Sequence, residues 1–189
     1  MIRHGQTDWN AQIRLQGQKD IPLNDTGRQQ ASGNGRALKT IIGDGAGFDF
    51  VASPLHRTRE TMELIRDGMG LERTGYRTED RLKEVSFGDW EGYTLAELER
   101  ETPERVAERE LSKWDFIPPG ASAESYEILS WRIAAWLGSV SQPTVCVSHG
   151  GVIRTLFKLF GAMSAEEASM GAIPQDRILK IENRAIGWL

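Results

Sequence analysis

Small and apolar residues recur along this chain either at steps of three and four or in short continuous runs. Ala31, Gly35, Leu38 and Ile42 fall at helical steps, and the capping-box spacing of Thr26-Gly27-Arg28-Gln29 ahead of them predicts a helix to about Ile42, stopped by Gly43-Asp44-Gly45-Ala46-Gly47. Leu55, Thr58, Met62, Ile65 and Met69 predict a second helix, with Ser53 as N-cap and Pro54 at its first position. Tyr126, Leu129, Ile133, Trp136, Leu137 and Val140 predict a long helix from about Ser122, and another runs from Val152 to about Phe160. Phe48–Ala52, Gly75–Thr78 and Pro143–Ser148 are short β-type runs, and the alternating tail from Arg177 to Leu189 predicts an edge hairpin around Asn183.

Strands alternating with helices imply an α/β fold, three layers α/β/α around a mostly parallel central sheet, and such sheets bind ligands beyond the carboxyl ends of their strands. Residues 1–189 read as one domain. Met1-Ile2 is all that precedes the first loop, so the opening strand reads as shortened. Residues 9–23 and the stretch from Arg81 to Gly92, with its glycines and aromatics, read as ordered loops. Residues 93–120, dense in Glu and Arg, read as short, mostly solvated helices forming a cover.

Composition narrows the function classes without naming one. The 189 residues are 39% hydrophobic and 26% charged, with a formal net charge of −4, so no general basic face is available for nucleic acid or an anionic membrane. A positive site must therefore be local. The single cysteine, Cys146, cannot pair internally, and no apolar run approaches a membrane span, a combination expected of a cytoplasmic protein. Oligomeric state is not encoded in any pattern, a homodimer being one option.

Three basic groups fall just beyond predicted strands: Arg3-His4 after the first, Arg57 after Phe48–Ala52, and His149 after Pro143–Ser148. Two of these points also open helices, whose amides and dipole favour an anion. Phosphoryl transfer through a protein nucleophile needs four parts, and the chain offers a candidate for each. A neutral nitrogen of His4 would attack phosphorus without a metal. Arg3 and Arg57 would grip the equatorial oxygens. His149, protonated or donating a hydrogen bond, would stabilise charge in the transition state. Glu84 would protonate the leaving alkoxide and then activate water, which needs a partly desolvated carboxyl close to the bound phosphate. Asp89 and Glu91 are alternatives for that acid.

Five blocks then carry a resemblance: RHGQTDWN at 3–10, LQGQKDIPLNDTGRQQA at 15–31, SPLHRTRET at 53–61, LKEVSFGDWEG at 82–92 and VSHGGVIR at 147–154. In this order they resemble the histidine phosphatase superfamily, also called phosphoglycerate mutase-like. The resemblance implies a phosphohistidine mechanism with neither metal nor cofactor. It places His4 as nucleophile, Arg3, Arg57 and His149 on the phosphate, Glu84 as proton donor, and Asn10 touching the phosphate. Gln16, Gly17 and Gly150 join the phosphate-binding set, although Asn10 and Gln16 are also good turn caps. The implied partner is a small-molecule phosphate ester.

Related mutases carry basic residues after the glutamate, where this chain has Val85-Ser86-Phe87-Gly88, and FGDWEG looks like the phosphatase branch, which includes broad-specificity and α-ribazole phosphatases. A mutase, and a catalytically quiet member that binds phospho-ligands, stand as alternatives. A metal hydrolase using His4, His149 and Glu84 is disfavoured because arginines among the ligands would repel the ion. The acidic cover suggests that highly anionic substrates are not preferred.

Overall fold

Runs of small and β-branched residues become parallel strands because helices bury both of their faces. The computed structural model describes residues 1–189. β1 (Ile2–Arg3), β2 (Asp49–Ala52), β3 (Arg77–Thr78) and β4 (Thr144–Ser148) form a parallel sheet in the order β1-β4-β2-β3. Eight helices accompany it: α1 (Asp8–Ala11), α2 (Asp25–Ile42), α3 (His56–Met69), α4 (Leu95–Glu101), α5 (Pro103–Leu111), α6 (Tyr126–Leu137), α7 (Gly150–Leu159) and α8 (Ala165–Met170). β5 (Leu179–Glu182) and β6 (Ala185–Trp188) form the predicted hairpin, turning through Asn183 and Arg184 at positive φ. It is a two-stranded sheet of its own, tied to β1 by the Ile2–Ile178 bridge.

Side chains along a strand alternate between two cores. Phe50, Ala52, Val145 and Val147 pack with Leu38, Met62 and Ile65 of α2 and α3. Val51 and Cys146 point the other way, toward Leu129, Ile133, Val152 and Leu156 of α6 and α7. This is the three-layer α/β/α arrangement expected. The cover forms α4 and α5, whose Leu98 and Val106 pack on Trp90 and Phe116. No helix is long and apolar enough to cross a membrane.

Several boundaries differ from expectation, each for a local reason. Asn24, not Thr26, caps α2, its side chain accepting from the Gly27 amide. α3 begins at His56, with Ser53 and Pro54 outside it, and its first amide is held by Asp20 Oδ1 at 2.8 Å. α6 begins behind the Ser125 cap because Gly120–Ala123 turn first. α7 begins two residues early, directly after His149, and the short helices α1 and α8 appear where no element was expected.

The register Arg3↔Ser148 and Ala52↔Val147 brings the carboxyl ends of three strands to one edge of the sheet. Backbone bonds His4 N to Ser148 O (2.9 Å) and Ser53 N to Val147 O (3.0 Å) carry the ladder one residue further. His4, Ser53 and His149 therefore emerge side by side. An apolar hollow of about 360 Å³, lined by Ile2, Leu38, Phe48 and Val145, lies toward the opposite ends of the strands and holds none of the candidate residues.

Candidate active site

The RHGQT loop is fixed by close packing. A Cβ on Gly5 would lie 2.2 Å from the Gly27 carbonyl oxygen, so only glycine lets the loop rest on the first turn of α2. The Gly5 amide donates to Thr61 Oγ1 of α3 (3.1 Å). His4 Nδ1 lies 2.8 Å from the Gly5 carbonyl oxygen. A carbonyl only accepts, so Nδ1 carries the proton and Nε2 presents its lone pair.

That lone pair faces Arg57. Arg57 is fully buried, with Nε 3.3 Å from His4 Nε2 and Nη2 3.2 Å from His149 Nδ1. Its remaining donors meet the backbone oxygens of Lys19 (2.6 Å) and Gly17 (2.7 Å). With its amide nitrogen donating to Thr7 Oγ1, Gln16 sets its oxygen 2.8 Å from Arg57 Nε and 3.1 Å from Nη1. Every acceptor is neutral, and none of the ion pairs in the structure uses Arg3, Arg57, Arg154 or Lys113. A buried guanidinium with no carboxylate in direct contact is costly, and an arriving anion would supply that contact. Burial lowers the pKa of Arg57 to about 10, opposed by Glu84, and lowers Arg3 to about 10, reinforced by Arg154. Both stay cationic at neutral pH.

His149 mirrors His4 across the arginine, with the two ring centroids 5.2 Å apart. Its Nδ1 accepts from Arg57, so its Nε2 must donate, and the acceptor is Ser53 Oγ at 2.8 Å. Ser53 is thus spent on a histidine rather than on capping α3. Burial first, and the Arg57 charge second, hold both imidazoles well below the usual histidine range. Both are neutral.

Glu84 reaches the site from the loop after a 3₁₀ turn at Asp80–Leu82. Its Oε2 accepts from the Gly151 amide (3.0 Å) and Oε1 from its neighbour Val85 (2.9 Å). A Cβ on Gly151 would fall 2.3 Å from Oε1, so glycine is required there. Arg132 of α6 clamps the loop by donating to the backbone oxygens of Arg81, Lys83 and Glu84. The alternative acids are placed differently. Glu91 ties the amides of Gln18 and Phe87 together, and Asp89 is exposed.

Of the remaining candidates, Asn10 forms a capping box with Thr7, and its Oδ1 also accepts from Gln175 Nε2, which leaves Nδ2 as its free donor. Gln16 and Gly17 brace Arg57 from behind, Gly17 at φ +52° where a Cβ would strike Glu91. A Cβ on Gly150 would touch both Arg3 Nε (3.4 Å) and Arg154 Nη1 (3.3 Å). The structure thus gathers His4, Arg57, His149, Arg3, Glu84 and Gly150 at one sheet edge. It adds Gln175, Arg132 and Arg154, which sequence reasoning did not single out, and Ser53, which it read as a helix cap. Arg154 had a signal, since it lies one turn into a helix opening at His149; Arg132 and Gln175 had none. No group of three or more His, Cys, Asp or Glu side chains is spaced to hold a metal ion.

Beyond the carboxyl ends of the parallel strands, two neutral imidazoles flank a buried arginine that has no ion-pair partner, an arrangement suited to an anion. The chain belongs to the histidine phosphatase superfamily (branch 1), whose profile matches residues 1–188. It is 34% identical over 168 residues to a glucosyl-3-phosphoglycerate phosphatase of Mycobacterium tuberculosis, covering 82% of this chain and 71% of that one. A 2,3-bisphosphoglycerate-dependent phosphoglycerate mutase of Methylocella silvestris is 29% identical, with 87% and 81% covered. Among solved structures, a phosphoserine phosphatase of Entamoeba histolytica in complex with 3-phosphoglyceric acid superimposes with a TM-score of 0.75 at 30% identity, covering 94% of this chain and 86% of that one. The two phosphatases fit a small-molecule phosphatase, and the mutase shows that the family also includes isomerases.

Proposed function

We propose that the chain hydrolyses a small phosphomonoester through a phosphohistidine on His4, without a metal. The observation that carries this reading is the 3.3 Å approach of the unprotonated His4 Nε2 to a buried guanidinium that has no ion-pair partner. A phosphate dianion drawn to Arg57 and Arg3 arrives beside the nucleophile. The Nε2 lone pair forms the N–P bond as the ester P–O bond breaks, and the departing oxygen takes a proton from Glu84. Glu84 then takes a proton from water, whose oxygen attacks phosphorus. The N–P electron pair returns to Nε2, and inorganic phosphate leaves.

His149 Nδ1 accepts from Arg57. For it to donate to the phosphate, Nδ1 must gain a proton, which the incoming dianion favours by reversing the local potential. Asn10 Nδ2 is a further donor to the phosphate, while Gln16 and Gly17 act through Arg57. We assign the reaction to the cytoplasm, where the lone buried thiol of Cys146 stays reduced.

The mutase relative supports a second reading, in which phosphate returns to another hydroxyl of the substrate. A screen of phosphomonoesters separates the two. Phosphate release from p-nitrophenyl phosphate and metabolite esters is expected. Isomerisation of 3-phosphoglycerate that depends on 2,3-bisphosphoglycerate, without phosphate release, would establish the mutase instead.

A further inference from the structure

Residues 83–87, between 3₁₀ turns at Asp80–Leu82 and Gly88–Trp90, are neither helix nor strand, so their backbone groups need partners from elsewhere. Arg132 of α6 supplies most of them. Its Nη1 donates to the carbonyls of Arg81 (2.7 Å) and Lys83 (2.6 Å), and its Nη2 to that of Glu84 (2.9 Å). The two remaining N–H bonds meet Glu124, Nε at Oε1 (3.0 Å) and Nη2 at Oε2 (2.9 Å), so every donor of the guanidinium is used. Glu124 then closes the far end of the stretch: its Oε2 accepts from the Ser86 amide (3.1 Å), and its own amide donates to the Ser86 carbonyl (2.9 Å). Ser148 Oγ holds the Leu82 carbonyl (2.8 Å), and Gln18 Nε2 adds a second bond to that of Glu84 (3.0 Å).

A clamp of this kind could serve stability alone, but what it grips gives it a second consequence. His4 and His149 directly follow strands, and Arg57 sits in the first turn of α3, whereas Glu84 has no regular element behind it. A proton donor must lie within about 2.6–3.2 Å of the oxygen it serves, and a displacement of about 1 Å can cost about 10²-fold in rate. The Gly151 amide steadies the carboxylate itself (3.0 Å), so the main chain that carries it is left to Arg132. Glu124 offsets the guanidinium charge in a two-pronged pair, and the clamp therefore acts on Glu84 through geometry.

We infer that Arg132, oriented by Glu124, is a positioning residue for proton transfer: by fixing the carbonyls of Arg81, Lys83 and Glu84 it sets where the Glu84 carboxyl meets the departing oxygen. The inference rests on the phosphatase reading above and deepens it. Arg132 touches neither phosphate nor alcohol in this role, so its loss should weaken the protonation of poor leaving groups and leave phosphate binding intact. A lysine there keeps the charge but cannot fork over three carbonyls and a carboxylate at once.

The test uses the full chain and two esters of similar size, benzyl phosphate, whose alkoxide needs a proton to leave, and p-nitrophenyl phosphate, whose phenolate does not. Arg132→Met should lower the benzyl to p-nitrophenyl ratio of kcat/KM about tenfold or more, through kcat rather than KM. Arg132→Lys should recover little of it, and Glu124→Gln should lower it to a smaller degree. In a Glu84→Gln background, Arg132→Met should leave the ratio where Glu84→Gln alone puts it, because both changes act on one proton transfer. Equal losses on the two esters, full recovery by lysine, or a further fall of the ratio in the double variant would overturn the inference. If Arg132→Met does not fold, Glu124→Gln decides, an unchanged ratio counting against the clamp. A wild-type chain that hydrolyses neither ester would instead defeat the phosphatase reading.

Discussion

Arg57 Nε points at His4 Nε2 from 3.3 Å, so an arginine N–H covers the lone pair that attack on phosphorus requires. The donors of Arg57 are met by neutral acceptors, and a phosphate must exchange these contacts for charged ones. Its affinity then stabilises the fold. At inorganic phosphate or orthovanadate about 100-fold above Kd the gain is about 2.7 kcal/mol, or about 5–10 °C in Tm for a chain of this size. Thermal melts with and without phosphate check this; Arg57→Ala should abolish the shift.

The histidines make stability depend on pH. Both are held neutral in the folded protein, their pKa lowered well below 6.5 by burial and then by Arg57, whereas in the unfolded chain they protonate near 6.5. Below that pH the unfolded state binds more protons, so stability is full above about 6.5 and falls as pH drops. Tm should decline from pH 6.5 toward 5, and saturating phosphate should reduce the slope. A flat Tm over that range would refute the buried neutral pair.

Glu84→Gln should slow hydrolysis of esters with poor leaving groups far more than that of p-nitrophenyl phosphate, whose alkoxide needs no proton. Equal losses would place the acid elsewhere. Because both carboxylate oxygens accept backbone amides, the glutamine NH2 must oppose one of them, and a stability loss of about 1–3 kcal/mol is expected by denaturant titration.

Ser53 Oγ fixes which nitrogen of His149 carries the proton. In Ser53→Ala that nitrogen loses its acceptor, the ring is free to change tautomer, and kcat should fall about tenfold or more with a displaced pH profile. Ser53→Thr, which keeps the hydroxyl, should recover part of the rate. An unaltered pH profile in Ser53→Ala would limit the serine to packing.

Periodicity was enough for the layers and for the sheet edge that carries the site, because strands such as Thr144–Ser148 are short apolar runs closed by turn residues. It failed where a side chain serves a distant partner. Ser53-Pro54 has the local form of a helix start, yet the hydroxyl is taken by His149, ninety-six residues away. Thr26 has capping-box spacing, yet Asn24 comes first and holds the amide. The cover reads as acidic because composition does not distinguish the inner from the outer face of α5. Arg132 is one arginine among many until the structure shows it gripping the loop that carries Glu84.

The central claim is a covalent bond between His4 and phosphorus. Folded enzyme, quenched in alkali during turnover of a labelled phosphomonoester and digested, should yield an acid-labile, alkali-stable phosphate on the peptide containing His4, and His4→Ala should yield none. Active wild-type enzyme that hydrolyses the ester and carries no such label, or carries it on another residue, would contradict the account.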